Sequence, residues 1–456
     1  MSVIHNIFFF IVAIGVLVTF HEFGHYWVAR MVGVKVLRFS IGFGKPFFIW
    51  KRKTREGDSI EYALAAIPLG GYVKMLDERE GEVPANERKR AFNRQPVSKR
   101  IAIVAAGPIF NFVLAIIFYW IVFLMGTIVD RPLVGKVVQH SVAAQAGFEN
   151  KDEILQVGDK SVDSWAGFRL ALLEKGLNGG ELNIRVKTAE GLSVERHLQL
   201  GNKQLLKTTG DIIGQLGFHQ WWPDLDAKIG GIIKASPAEK AGLQKGDLVL
   251  SVGGRKVKNW ADLVALIKQK AGRPMLFEIQ RGNQVIHLTI IPGVRKVGGK
   301  TQGFIGAYQK MPDGLREQLT RRIQYGPFDA AVHALEKTWD MSALTLRVMW
   351  KMISGEAALA NISGPITIAT YAGVTASIGL VPFLSFLAVI SVSLGVLNLL
   401  PVPLLDGGHL FYYLIEIIKG SPVSQAFEMR GQQLGMVILA LLMGIAIFND
   451  IHRLMQ

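Results

Sequence analysis

An apolar run from about Ile4 to Val28 constrains this chain more than any other feature, because ionisable residues sit inside it: His21-Glu22-Phe23-Gly24-His25. About 20 consecutive apolar residues cross a bilayer as a helix, and ionisable groups at that depth are costly unless they have a task. Three further runs have comparable reach: about Ile101 to Val129, about Ile378 to Leu400, and about Leu434 to Phe448, the last being short. A signal peptide does not suit the first run, since no basic region precedes it and no small-residue cleavage site follows. Half of the 456 residues are hydrophobic, yet 19% are charged, and mean hydropathy is +0.29. Membrane spans must therefore alternate with water-exposed parts.

Loop charge supplies a direction. Between Arg30 and Arg100 stand sixteen Lys and Arg against eight Asp and Glu, while nothing basic precedes the first run. Positive loops stay in the cytoplasm. That places the Arg30–Arg100 stretch inside, the N-terminus outside, the segment from about Asp130 to Ser377 outside, and the loop with Lys419 and Arg430 inside. The net charge of +15 belongs to the membrane surface. No recognition motif points to nucleic acid.

The first run carries the chemistry. Residues i and i+4 share one helix face, so His21 and His25 can reach one metal ion, with Glu22 beside it. Zinc lowers the pKa of a bound water to about 7, and a carboxylate next to the ligands can take and deliver the proton. The chain has no cysteine, so a third ligand must be His, Asp or Glu, and disulfides are excluded. Two candidates stand at matching depth, Asp406 and His409, in Asn398-Leu-Leu-Pro-Val-Pro-Leu-Leu-Asp406-Gly-Gly-His409. Pro401 and Pro403 must break the third run there, and irregular backbone at membrane depth requires a protein or cavity lining.

The outside segment repeats itself. Ser141-Val-Ala-Ala-Gln-Ala-Gly147 aligns with Ser236-Pro-Ala-Glu-Lys-Ala-Gly242, and Asp152, Leu155, Val157, Gly158, Val162 and Trp165 align with Asp247, Leu250, Val252, Gly253, Val257 and Trp260, all at an offset of 95. One constant offset means two copies of a domain, not a solenoid. The stretch from Ser236 to Gly254 resembles PDZ domains attached to bacterial proteases. These are α+β folds with a partly open, barrel-like sheet. Such a domain binds a peptide or a C-terminus as an added strand, or it only occupies space and restricts access. About Pro327 to Ser354 reads as an amphipathic helix, with Val332, Leu335, Trp339 and Leu346 on one side, packed on the second of these domains or on the membrane face.

His-Glu-x-x-His in a first span, with Asn-x-x-Pro-x-Pro-x-Leu-Asp-Gly ending a later one, resembles the site-2 protease family of intramembrane zinc proteases. The resemblance implies one zinc ion per chain, held by His21, His25 and Asp406, with Glu22 as general base. It implies Asn398 next to the site, engaging substrate. Gly107-Pro-Ile-Phe-Asn111 also matches a family motif, read as structural. The stretch Val34–Met75, with Gly42 and Gly44, resembles the family's membrane-associated β-hairpin region, whose sheet edge can hold an extended substrate. The fold implied is a polytopic α-helical membrane protein of four spans, with two tandem periplasmic PDZ domains and this cytoplasmic-side hairpin region, in a bacterial inner membrane. The substrate implied is a single-span membrane protein such as an anti-sigma factor, with remnant signal peptides as a second class. The expected division is 1–30 first span, 31–99 β region, 100–129 second span, 130–220 and 221–310 PDZ domains, 311–377 amphipathic helix and connector, 378–405 third span, 406–433 cytoplasmic loop, and 434–456 fourth span with tail.

Overall fold

The computed structural model describes residues 3–53, 58–176, 179–200, 212–297, 300–355 and 362–455. The chain divides into two compact units, one built from Met1–Thr127 and Arg322–Ile451, the other from Ile128–Leu205 and Gly210–Arg321.

In the first unit, four helices are long and apolar enough to cross a bilayer: Val3–Met31, Val97–Met125, Leu380–Leu399 and Gln425–Met455. At 1.5 Å per residue the shortest is about 30 Å long, the thickness of a hydrocarbon core. The third helix stops at Leu399, short of the expected 405, because Pro401 and Pro403 cannot donate to a helical ladder. Two stretches are more ordered than expected. The 406–433 segment is not simply a loop; it contains the helix Asp406–Lys419 and the start of the fourth long helix at Gln425. Nothing from Gln425 to Gly435 interrupts a helix, so the fourth begins well before its apolar part. The connector before the third span contains an apolar helix of its own, Pro365–Ile378.

The helix Pro327–Ile353 turns a different face inward from the one its large apolar residues suggest. Its buried residues are Ala330, Ala334 and Thr338, at spacings of four. Ala334 packs with Tyr119 of the second span and Val392 of the third, and the Trp120 indole donates to the Pro327 carbonyl at 2.9 Å. Leu335, Trp339, Leu346 and Trp350 remain exposed. Small residues permit close helix–helix approach, and the bulky ones are left on the opposite, exposed face.

Between the first and second spans lie two long strands, Val36–Lys53 and Ser59–Met75. Each doubles back. The register sets residues 38–41 beside 71–74 on one side and 61–64 on the other, and sets 61–64 beside 48–51 as well. Four segments therefore lie side by side, with 71–75 at one border. Gly42 and Gly44 have φ of +90° and +88° at the first reversal, a conformation open to glycine at little cost.

The second unit holds two four-stranded antiparallel sheets. One has the order Lys160–Ser161, Glu153–Val157, Gly180–Lys187, Ser193–Leu200; the other has Arg255–Lys256, Leu248–Val252, Met275–Arg281, Gln284–Ile290. Among the described residues neither sheet closes into a barrel. Each is accompanied by a helix, Trp165–Gly176 or Trp260–Gln269, and by a short helical turn capped by Ser141 or Ser236. Asp152 and Asp247 are both buried and both paired with arginine, Arg196 at 3.2 Å and Arg281 at 2.8 Å.

Candidate metal centre and active site

The i, i+4 spacing does locally what the sequence requires of it. His21 and His25 project from one face of the first span, with their Nε2 atoms 3.2 Å apart. Asp406 arrives from the other end of the chain. After the third span ends, the backbone turns through Pro401 and Pro403, passes Leu404 at φ +86°, and starts a helix at Asp406. A non-glycine residue in the left-handed region stores strain that the surroundings must hold. The turn brings Asp406 Oδ2 to 3.1 Å from His21 Nε2 and 3.5 Å from His25 Nε2. These three residues are the group of potential metal ligands found among the described residues. His409, one turn further along the helix, is not part of it.

The cluster fits a zinc ion. The His25 Nδ1–H donates to the Ile103 carbonyl at 2.8 Å, which leaves Nε2 as a lone pair facing inward. His21 Nδ1 lies 3.1 Å from the side-chain amide of Asn111. The amide nitrogen faces it while Asn111 Oδ1 is buried without a partner; with the amide turned over, the Nδ1–H donates to that oxygen and Nε2 again faces inward. Asp406 Oδ2 is buried and accepts no hydrogen bond. In these tautomers three lone-pair atoms converge with no proton between them, an arrangement that repels itself without a cation. Tetrahedral ligands at about 2.1 Å from a zinc ion stand about 3.4 Å apart, close to the separations above.

Glu22 lies on the adjoining face, with the Val73 backbone opposite its carboxylate. A cleft of about 430 Å³ opens here, lined by the three ligands, Glu22, Asn398 and residues Gly71–Val73 of the border strand. That strand runs tight against this face of the helix: a Cβ on Gly71 would stand 3.2 Å from Glu22 Cγ. Asn398 thus reaches the cleft. Gly42 and Gly44 do not line it; they turn the first long strand, and through that turn they set where the border strand runs.

Several residues that the sequence left in structural roles belong to the site's support. Gly107 of the second span is one. A Cβ there would fall 2.3 Å from His25 Nε2 and 2.7 Å from His21 Cε1, so only a bare backbone lets both imidazoles lie across the helix. Asn111, one turn on, orients His21. An amide inside an apolar run was signal enough to suspect it, since buried polar groups in membrane helices need partners. Arg100 joins Glu416 at 2.5 Å and lies 4.8 Å over the Tyr413 ring. It thereby ties the second span to the helix that begins with Asp406.

Comparison with known proteins agrees with this chemistry. The chain matches Peptidase family M50 over residues 9–442. It is 42% identical over 457 residues to the Regulator of sigma E protease of Salmonella typhi, covering 100% of both chains. It is 43% identical over 448 residues to the Regulator of sigma-E protease RseP of Escherichia coli (strain K12), covering 98% of each. A Putative zinc metalloprotease of Vibrio cholerae is 41% identical over 459 residues, covering 99% of this chain and 100% of that one.

Proposed function

The chain belongs to peptidase family M50, and on that premise we propose that this zinc metalloprotease cuts peptide bonds inside the membrane, with His21, His25 and Asp406 holding the metal and Glu22 moving the proton. The observation that carries the proposal is the convergence of ligand atoms from His21, His25 and Asp406 within 4.8 Å of one another, beside Glu22 on a helix long and apolar enough to span a bilayer. Bound there, zinc supplies Lewis acidity for attack of water on a peptide carbonyl.

The residues of the chain do the rest. Glu22 takes a proton from the attacking water and gives it to the departing amide nitrogen, so one water is consumed and the carboxylate is restored. Asn398, at the rim of the cleft, holds the substrate backbone. A spanning helix hides its carbonyls in i to i−4 hydrogen bonds and must unwind before attack. The border segment 71–75 offers an unwound stretch the pairing it has lost, as in strand addition.

The substrate class is a single-span membrane protein. Two relatives are named for regulation of sigma E, which supports an anti-sigma factor of the RseA type, cut after its outside portion has been shortened. Remnant signal peptides form a second class. Loop charge supports an inner-membrane orientation with the active site toward the cytoplasm and the second unit in the periplasm. The two similar halves of that unit support the reading of tandem PDZ domains, which exclude substrates with bulky outside domains and bind an extended peptide or C-terminus.

Glu22→Gln tests the mechanism. The variant is expected to keep its zinc by elemental analysis and to lose cleavage of a model single-span substrate by about 10²–10⁴-fold, the range of general acid–base catalysis. Full activity would remove Glu22 from the chemistry.

A further inference from the structure

The first span has a second functional face. At 100° per residue, Phe23, Tyr26 and Arg30 point well away from His21 and His25, with Tyr26 at the margin nearest Glu22. Between them and the folded strands lies a cavity of about 580 Å³, into which Arg52, Lys53 and Tyr62 also project. Its polar side chains are two phenols and three cations, and among the described residues no carboxylate lines it. The nearby acid on the strands, Glu61, is already held by Arg38 at 2.5 Å and Lys51 at 2.9 Å. Among the described residues neither Arg52 nor Lys53 has an acidic partner.

The phenols leave a donor over. Arg30 donates to the Tyr26 hydroxyl at 3.0 Å, and the Tyr26 and Tyr62 hydroxyls are 2.7 Å apart. Two phenol protons serve one hydrogen bond between them, so one O–H remains to be given to an acceptor. The cavity therefore asks for an anion.

Its surroundings say which kind. It sits where the apolar run of the first span gives way to Arg30. Along the strand from it, Phe47, Phe48 and Trp50 are 71%, 58% and 54% exposed, followed at once by Lys51, Arg52 and Lys53. Aromatic side chains followed by cations mark the level of lipid headgroups, and Phe23 and Trp27 are exposed on the span beside it. We propose that this cavity binds the phosphate of an anionic phospholipid between Arg30, Arg52 and Lys53, with the acyl chains along Phe23 and the exposed aromatic strand. The bound lipid clamps the folded strands to the first span, on the face opposite the metal ligands. The proposal rests on Val3–Met31 crossing the bilayer and is independent of the proteolytic reading.

Full-length protein, purified in a neutral detergent and stripped of lipid, is titrated with short-chain phosphatidylglycerol, matching phosphatidylcholine, or inorganic phosphate, and the thermal midpoint is read. A ligand that binds only the folded state raises it. Phosphatidylglycerol is expected to raise the midpoint where phosphatidylcholine does not. The pair Arg52→Ala with Lys53→Ala is expected to raise the half-saturating concentration about thirtyfold, from about fivefold for each basic residue near an anionic lipid. Lys234→Ala with Lys240→Ala removes the same charge elsewhere and should leave the response intact. A shift by inorganic phosphate alone, lost in the Arg52/Lys53 variant, supports the same anion site with a soluble ligand as its source. Equal responses to both lipids, or a response unchanged in the Arg52/Lys53 variant, would overturn the proposal.

Discussion

Two aspartates of the membrane unit stand near helix ends, Asp450 buried and Asp406 half-buried, and their carboxylates find partners in opposite ways. Asp450, near the end of the fourth span, accepts from the backbone N–H groups of Gly364, Ile366 and Thr367 at 2.9 to 3.0 Å and from the Thr367 hydroxyl. It caps the apolar helix Pro365–Ile378, whose own cap residue is Gly364 and gives no side-chain bond. Asp406 has an oxygen with no hydrogen bond, facing two imidazoles. One carboxylate is filled by donors of the fold itself, and the other stands with two imidazole nitrogens in a group that could hold a metal ion. The two acids therefore differ in the chemistry of what surrounds them, backbone donors for one and potential metal ligands for the other.

The contrast can be broken at its strongest point first. Asp406→Ala should empty the metal site and take proteolysis to background, as measured by elemental analysis and cleavage of a membrane-embedded substrate. Retained zinc would shift the third ligand to another residue, with His409 next in line. Gly107→Ala should come close behind, because its new methyl would occupy the space of the His25 imidazole; Gly15→Ala, with nothing within 4 Å, is the matched control. Asn111→Ala should weaken zinc affinity about 10- to 100-fold, the usual loss when a ligand's supporting hydrogen bond is removed. That is read by competition with a chelator, and an unchanged affinity would return Asn111 to simple helix packing. Asp450→Ala sharpens the other side of the comparison. It should retain zinc while destabilising the protein by about 1–3 kcal/mol through orphaned donors at a helix start, seen as a lower thermal midpoint and earlier proteolysis near residue 365. If it lost zinc instead, the two aspartates would not be separable.

Much of the site was legible because its signals are local. Four apolar runs and an i, i+4 pair depend only on helix geometry, and the break at Pro401 and Pro403 depends on the missing N–H of proline. Assigning Asp406 in place of His409 took the family resemblance, because both lie at the same depth in sequence. Three features escaped. The large side chains of Pro327–Ile353 point outward because the small residues Ala330, Ala334 and Thr338 make the close contact inside, which a count of apolar residues does not reveal. Gly42 and Gly44 shape the strands at a distance from the cleft. Asn111 was read with its motif as a packing residue, since nothing in a linear chain says which face of the second span meets His21.

The sequence by itself determined the number of spans, the two histidines with Glu22 on neighbouring faces of one helix, and the chemistry those residue types permit, because helical periodicity and apolar length act over a few residues. Tertiary structure decided how Asp406 reaches the imidazoles, which strand segment borders the cleft, and which aspartate caps a helix instead. Asp406 is 381 residues from His25 (406 − 25), and its approach depends on the turn after Leu399, the glycine backbone at residue 107 and the tie between Arg100 and Glu416. Contacts of that separation come from how helices pack, and packing is a property of the whole unit, not of any stretch within it.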